Sequence, residues 1–80
     1  MATVYLSSGL AQFTGGVETL TIDAPRVCDL MDTLAERFPS LREPLALMSV
    51  AVDGEIRQHA DYVKLSARSE VHLIPRISGG

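Results

Sequence analysis

The sequence has 80 residues, enough for one domain near the lower limit at which a chain buries its own core without covalent staples. With 46% hydrophobic and 21% charged residues it has an ordinary folded composition, and scarce aromatics leave the packing to aliphatic side chains. A net charge of -3 with seven scattered Lys and Arg argues against nucleic acid, which calls for a basic stripe to displace phosphate counterions.

No run approaches the roughly 18 apolar residues of a membrane span, and the N-terminus lacks the basic and apolar regions of a signal peptide. The single cysteine, Cys28, forms no internal disulfide, and no Cys/His pair stands at zinc spacing. A reducing compartment follows, and the cytoplasm is the expected location.

In chain order, "TVYLS" alternates, with Val4 and Leu6 on one face and Thr3, Tyr5 and Ser7 on the other, which predicts a strand. Residues 8–16 form a turn-rich connection with Leu10 and Phe13 as candidate core plugs. Gly15-Gly16 then opens a second strand, "VETLTID", pairing back as an antiparallel hairpin. In "DAPRVCDLMDTLAERFP" the residues Val27, Leu30, Met31, Leu34, Ala35 and Phe38 draw one apolar stripe down a helix. Asp23 is its expected cap, Pro25 suits its first turn, and Pro39 ends it.

Residues 40–47 are irregular, with Leu41, Leu45 and Leu47 available to pack under the helix end. "SVAVDGEIRQ" predicts a hairpin turning at Asp53-Gly54, a pair that tolerates positive φ. "DYVKLSARSE" is expected to form a short edge segment and a turn, and Glu70 to Ile74 a final strand ending at Pro75. One amphipathic helix covers one sheet face, so the predicted fold class is α+β. It is a mixed sheet with a single helix across it, the last strand parallel to the first, in the β-grasp (ubiquitin-like) plan.

Most candidate chemistry has a plainer explanation. His59 and His72 are thirteen residues apart with no carboxylate at ligand spacing, so neither a metal site nor acid/base catalysis is expected. Cys28 lies in the first turns of the helix but adjoins the apolar stripe, and packing accounts for it. Turn chemistry explains Asp53-Gly54, and Gly15-Gly16 leads into a strand rather than the helix of a phosphate loop. The closing "PRISGG" differs. Glycine loses the most entropy on ordering, so two at a packed terminus would be a poor choice, although frayed ends are common. Without side chains, Gly79 and Gly80 suit a narrow enzyme channel, in which a terminal carboxylate meets a nucleotide phosphate unobstructed.

"SEVHLIPRISGG" resembles the C-terminus of the MoaD/ThiS sulfur carriers, and "DLMDTLAERFPSL" and "VAVDGE" are similar to the helix and turn of that family. The tail is also similar to that of ubiquitin, a likeness that includes Arg76. The resemblance covers the whole chain and implies one β-grasp domain over residues 1–80, with residues 75–80 as a flexible tail. It implies that Gly80 is adenylated by a partner ATP-dependent enzyme of the ubiquitin-activating type and converted to a thiocarboxylate. Gly79 would permit threading, and Pro75, Arg76, Ile77 and Ser78 would line the channel.

The implied function is sulfur donation in molybdopterin biosynthesis, with the large subunit of molybdopterin synthase as acceptor. The chain would be catalytically inert alone and would bind no cofactor, ATP being used by the activating partner. Three other readings stand beside it: a modifier forming isopeptide bonds through Gly80, a carrier for cysteine or thiamine synthesis, and a β-grasp interaction domain with an idle tail. "FTGG" is similar to a stretch of the cysteine-pathway carriers, and Pro75-Arg76 stands where molybdopterin synthase small subunits often have Pro-Pro. On the last strand, Val71 and Leu73 are expected to face the helix. Ala51, His72 and Ile74 are then expected to face outward as a partner-docking patch.

Overall fold

A computed structural model describes residues 1–57 and 60–75. Five strands form one mixed sheet: β1 (Ala2–Leu6), β2 (Thr19–Ile22), β3 (Met48–Val52), β4 (Glu55–Arg57) and β5 (Glu70–Pro75). Their order is β2-β1-β5-β3-β4, with β1 and β5 parallel and every other neighbouring pair antiparallel. This is the expected β-grasp arrangement. The last strand lies in the middle of the sheet, between the first strand and the third.

Three helices join the strands: α1 (Ser8–Ala11), α2 (Val27–Arg37) and α3 (Arg42–Ala46), the last preceded by a 3-10 turn at Pro39–Leu41. The apolar spacing predicted for α2 holds. Val27, Leu30 and Leu34 are buried, and Met31 and Phe38 pack against the core from its margin. They meet Val4, Leu6, Ile22, Val50, Val52, Val71 and Leu73 from one sheet face. Complete burial of a side chain such as Leu30 or Leu34 stabilises the fold by about 1.5–3 kcal/mol.

The start of α2 differs from expectation. Its cap residue is Arg26, and neither Asp23 nor Pro25 belongs to its first turn. The chain from Ala60 to Leu65 governs this end instead. The Val27 and Cys28 N–H groups donate to the carbonyls of Val63 and Asp61, at 3.1 and 2.9 Å. The Leu65 N–H donates to the Pro25 carbonyl, and Arg26 forms an isolated antiparallel bridge with Lys64. Two helix donors that lack intrahelical partners are thus satisfied by a distant segment, and no side-chain cap is needed. The segment expected at a sheet edge pairs with the entrance of α2.

Four other local expectations are revised. Residues 8–11 and 42–46 are short helices rather than irregular chain. Leu10, Leu41 and Leu45 are buried as expected, but Phe13 is exposed and Leu47 is 66% exposed. Leu47 follows the last residue of α3, with φ -101° and ψ 4°, and its N–H donates to the Pro44 carbonyl. That bond belongs to the helix end, and β3 starts at the following residue.

Candidate functional site

β5 fixes where the C-terminal segment starts. On one side Val4, Tyr5 and Leu6 of β1 stand opposite Val71, His72 and Leu73; on the other, Val50, Ala51 and Val52 of β3 stand opposite Leu73, His72 and Val71. Val71 and Leu73 are fully buried under α2, so packing and two hydrogen-bonded ladders hold the strand. The β3–β4 turn adds a clasp at its start. Asp53 and Gly54 both take positive φ, 50° and 86°, as the sequence predicts for this tight hairpin. The Asp53 N–H donates to the Glu70 carbonyl at 2.8 Å, and the Glu70 N–H donates to Asp53 Oδ1 at 2.9 Å.

The face away from α2 carries a row of residues in register: Thr19, Tyr5, His72, Ala51 and Ile56, one from each strand. Tyr5 and His72 stack, with ring centroids 4.5 Å apart and planes 10° from parallel. His72 Nε2 lies 3.8 Å from Glu70 Oε1. Both side chains of that pair are about half exposed, so it contributes little to stability. Ile74, half-buried, stands opposite Ser49 one step nearer the end of the strand.

Of the three residues expected in the outward patch, the structure pairs Ala51 with His72 and places Ile74 two residues along β5 on the same face. Ala51 requires a correction. It points away from the core but is only 7% exposed, its methyl lying between the larger residues His72 and Ile56. It can shape the surface but offers little of it. Tyr5 was missing from the expected patch, and strand alternation combined with the parallel β1–β5 register would have supplied it.

Pro75 is the last residue of β5, paired with Met48, so the strand runs one residue further than expected before the segment begins. Arg76, Ile77, Ser78, Gly79 and Gly80 lie outside the described residues, as does His59. Cys28 is half-buried. Among the described residues no group of three or more His, Cys, Asp or Glu could hold a metal ion. An open groove of about 590 Å³, lined mainly by apolar residues such as Met31, Met48 and Ile56, lies beside the short edge strand β4. No described helix is long and apolar enough to cross a membrane.

The ThiS family model matches residues 4–80, nearly the whole chain and through Gly79-Gly80. The chain belongs to the ThiS family. These are ubiquitin-like sulfur carriers, and the fold is shared with solved structures at low sequence identity. The chain is similar to one in the BexX/CysO complex of Amycolatopsis orientalis, at 18% identity over 100% of both chains with a TM-score of 0.85. It is similar to the small archaeal modifier protein 1 of Methanosarcina acetivorans, at 19% identity over 99% of this chain and 95% of that one, also with a TM-score of 0.85. A third similarity is to a chain in the complex of subunits 1 and 2 of the molybdopterin-converting factor from Helicobacter pylori. There the identity is 20%, over 99% and 97% of the two chains, and the TM-score 0.74. No curated protein matches the sequence.

Proposed function

We propose that this ThiS-family chain carries sulfur as a thiocarboxylate on Gly80 and donates it in molybdopterin biosynthesis. The observation that carries the reading is that the family match runs through Gly79-Gly80. It is supported by the placement of Pro75 at the end of a central strand, which gives residues 76–80 a fixed origin. A free carboxylate is a poor acyl donor. One of its oxygens attacks the α-phosphorus of ATP, pyrophosphate leaves, and the acyl-adenylate acquires AMP as a leaving group. Hydrosulfide then attacks the acyl carbon, AMP departs with the bonding electrons, and loss of the thiol proton leaves the thiocarboxylate. The resulting thiocarboxylate sulfur is a good nucleophile.

In this reading catalysis belongs to the partners: an ATP-dependent adenylating enzyme and a sulfur acceptor of the molybdopterin synthase large-subunit type. The chain binds no cofactor and works in the cytoplasm. Gly79 permits entry into a narrow site, and Pro75 to Ser78 line its approach. Similarity to a chain in the Helicobacter pylori molybdopterin-converting factor complex favours this destination. Similarity to the archaeal modifier and to a chain in the BexX/CysO complex favours a second reading, in which Gly80 forms isopeptide bonds or feeds another sulfur pathway.

Intact mass spectrometry after incubation with the activating enzyme, ATP and sulfide separates the readings. Replacement of one oxygen by sulfur at Gly80 is the expected result. Conjugates to lysines without thiocarboxylate would favour the modifier. Transfer of that sulfur to the molybdopterin precursor, and not to a cysteine or thiamine precursor, is expected for the stated destination.

A further inference from the structure

Leu47 has no role in the core. It is 66% exposed, although Leu41 and Leu45 just before it are buried. Single exposed apolar residues are ordinary on protein surfaces, so exposure alone gives Leu47 no significance. Its position does. Leu47 immediately precedes Met48, and Met48 stands opposite Pro75, the last described residue of β5. Leu47 therefore lies on the neighbouring strand's approach, beside the origin of residues 76–80. Ile74 and Ser49, both half-buried, stand opposite each other one step back along the strands.

Covalent geometry limits how far away a partner can stay. Five residues follow Pro75, and a fully extended chain gains at most about 3.3–3.6 Å per residue, so Gly80 lies within roughly 18 Å of the strand end. An acyl-adenylate survives only where water is excluded, so the site must close around the last residues. The walls of that site then occupy most of the available length, and the enzyme's outer surface abuts the sheet edge around Pro75. A standard interface of about 800 Å² per partner, centred there, reaches across several strands spaced about 4.8 Å apart. Leu47 falls near its middle, where the few residues that carry most of the binding energy cluster. On the outer sheet face Ile56 is equally exposed, at 66%, but it stands on the edge strand β4 opposite Ala51 and is separated from β5 by β3, so it lies farther from Pro75 than Leu47 does.

We infer that Leu47 is an apolar anchor by which the ATP-dependent enzyme that activates Gly80 docks on this chain. The inference rests on the sulfur-carrier reading and adds to it a residue outside the tail. The enzyme must offer an apolar pocket beside the mouth of its nucleotide site.

The test is ATP–pyrophosphate exchange by the activating enzyme as a function of carrier concentration, with wild type, Leu47→Ala, Leu47→Lys and Tyr62→Ala. Tyr62 is an exposed control, 81% exposed and in the segment that meets the entrance of α2 rather than on the approach to β3. Leu47→Ala is expected to raise the KM for the carrier about tenfold with little change in kcat, as for losing burial of most of a leucine side chain. Leu47→Lys should raise it further, and Tyr62→Ala by less than about twofold. Because Leu47 is largely exposed, all variants should melt with the wild type.

Equal KM values for wild type and both Leu47 variants would overturn the anchor and leave the carrier reading standing. So would a loss of self-association on size-exclusion chromatography with unchanged exchange, which would assign Leu47 to a contact between copies. Absence of any exchange with wild type would overturn the carrier reading, and the anchor with it.

Discussion

Alternate residues of β5 meet opposite surroundings. Val71 and Leu73 are fully buried against α2, while His72 and Ile74, one residue away in each case, face the other side and keep part of their surface in solvent. The period of two in a strand makes this possible. One set of side chains pins the strand into the core, and the other is free to vary without loosening it. In the proposed carrier role, a strand that presents a reactive segment at a fixed place gains from this separation. Its origin can be rigid while its outer surface answers to partners.

The sharpest challenge to that division is Leu73→Ala. A buried leucine truncated in a packed core costs about 2–5 kcal/mol, and in a domain of this size the melting temperature should fall by more than about 10 °C. A cost below about 1 kcal/mol would mean that the inner face does not hold the strand. Gly54→Ala tests the clasp. At φ 86° a Cβ would meet no atom within 4 Å, so the expected cost of about 1–2 kcal/mol is conformational rather than steric. Urea denaturation would measure it, and a neutral result would remove the argument that glycine is needed here.

On the outer face, His72→Ala forfeits the stack on Tyr5 and the exposed approach to Glu70, and should cost under about 1 kcal/mol. If its melting temperature fell as far as that of Leu73→Ala, the two faces of β5 would not be doing different work.

Much of the fold was legible because its signals are local. The stripe on α2 and the Asp53-Gly54 turn each follow from a few adjacent residues, and the alternation in β1 and β5 shows which side chains go inside. What was not legible depends on segments far apart in sequence. Asp23 precedes the helix and has the chemistry of a cap, yet Val63 and Asp61 supply the acceptors, and no local pattern announces that contact. Helices of four and five residues, such as α1 and α3, carry too little periodicity to be seen. Leu47 continues a run of leucines spaced like core residues, but the end of α3 leaves it at the surface.

The same contrast holds for the site. Which residues share the face of His72 followed from strand periodicity, but the burial of Ala51 came from the size of its cross-strand neighbours. The place of Leu47 beside Pro75 came from the β3–β5 register.

The central claim is that the folded sheet and the reactive end are separable, and removal of Gly79 and Gly80 tests it most directly. The truncated chain and the full chain are compared for melting temperature and for thiocarboxylate formation with the activating enzyme, ATP and sulfide. The account predicts equal melting temperatures and complete loss of the sulfur-bearing product in the truncated chain. Thiocarboxylate formed at the same rate without the two glycines would contradict it.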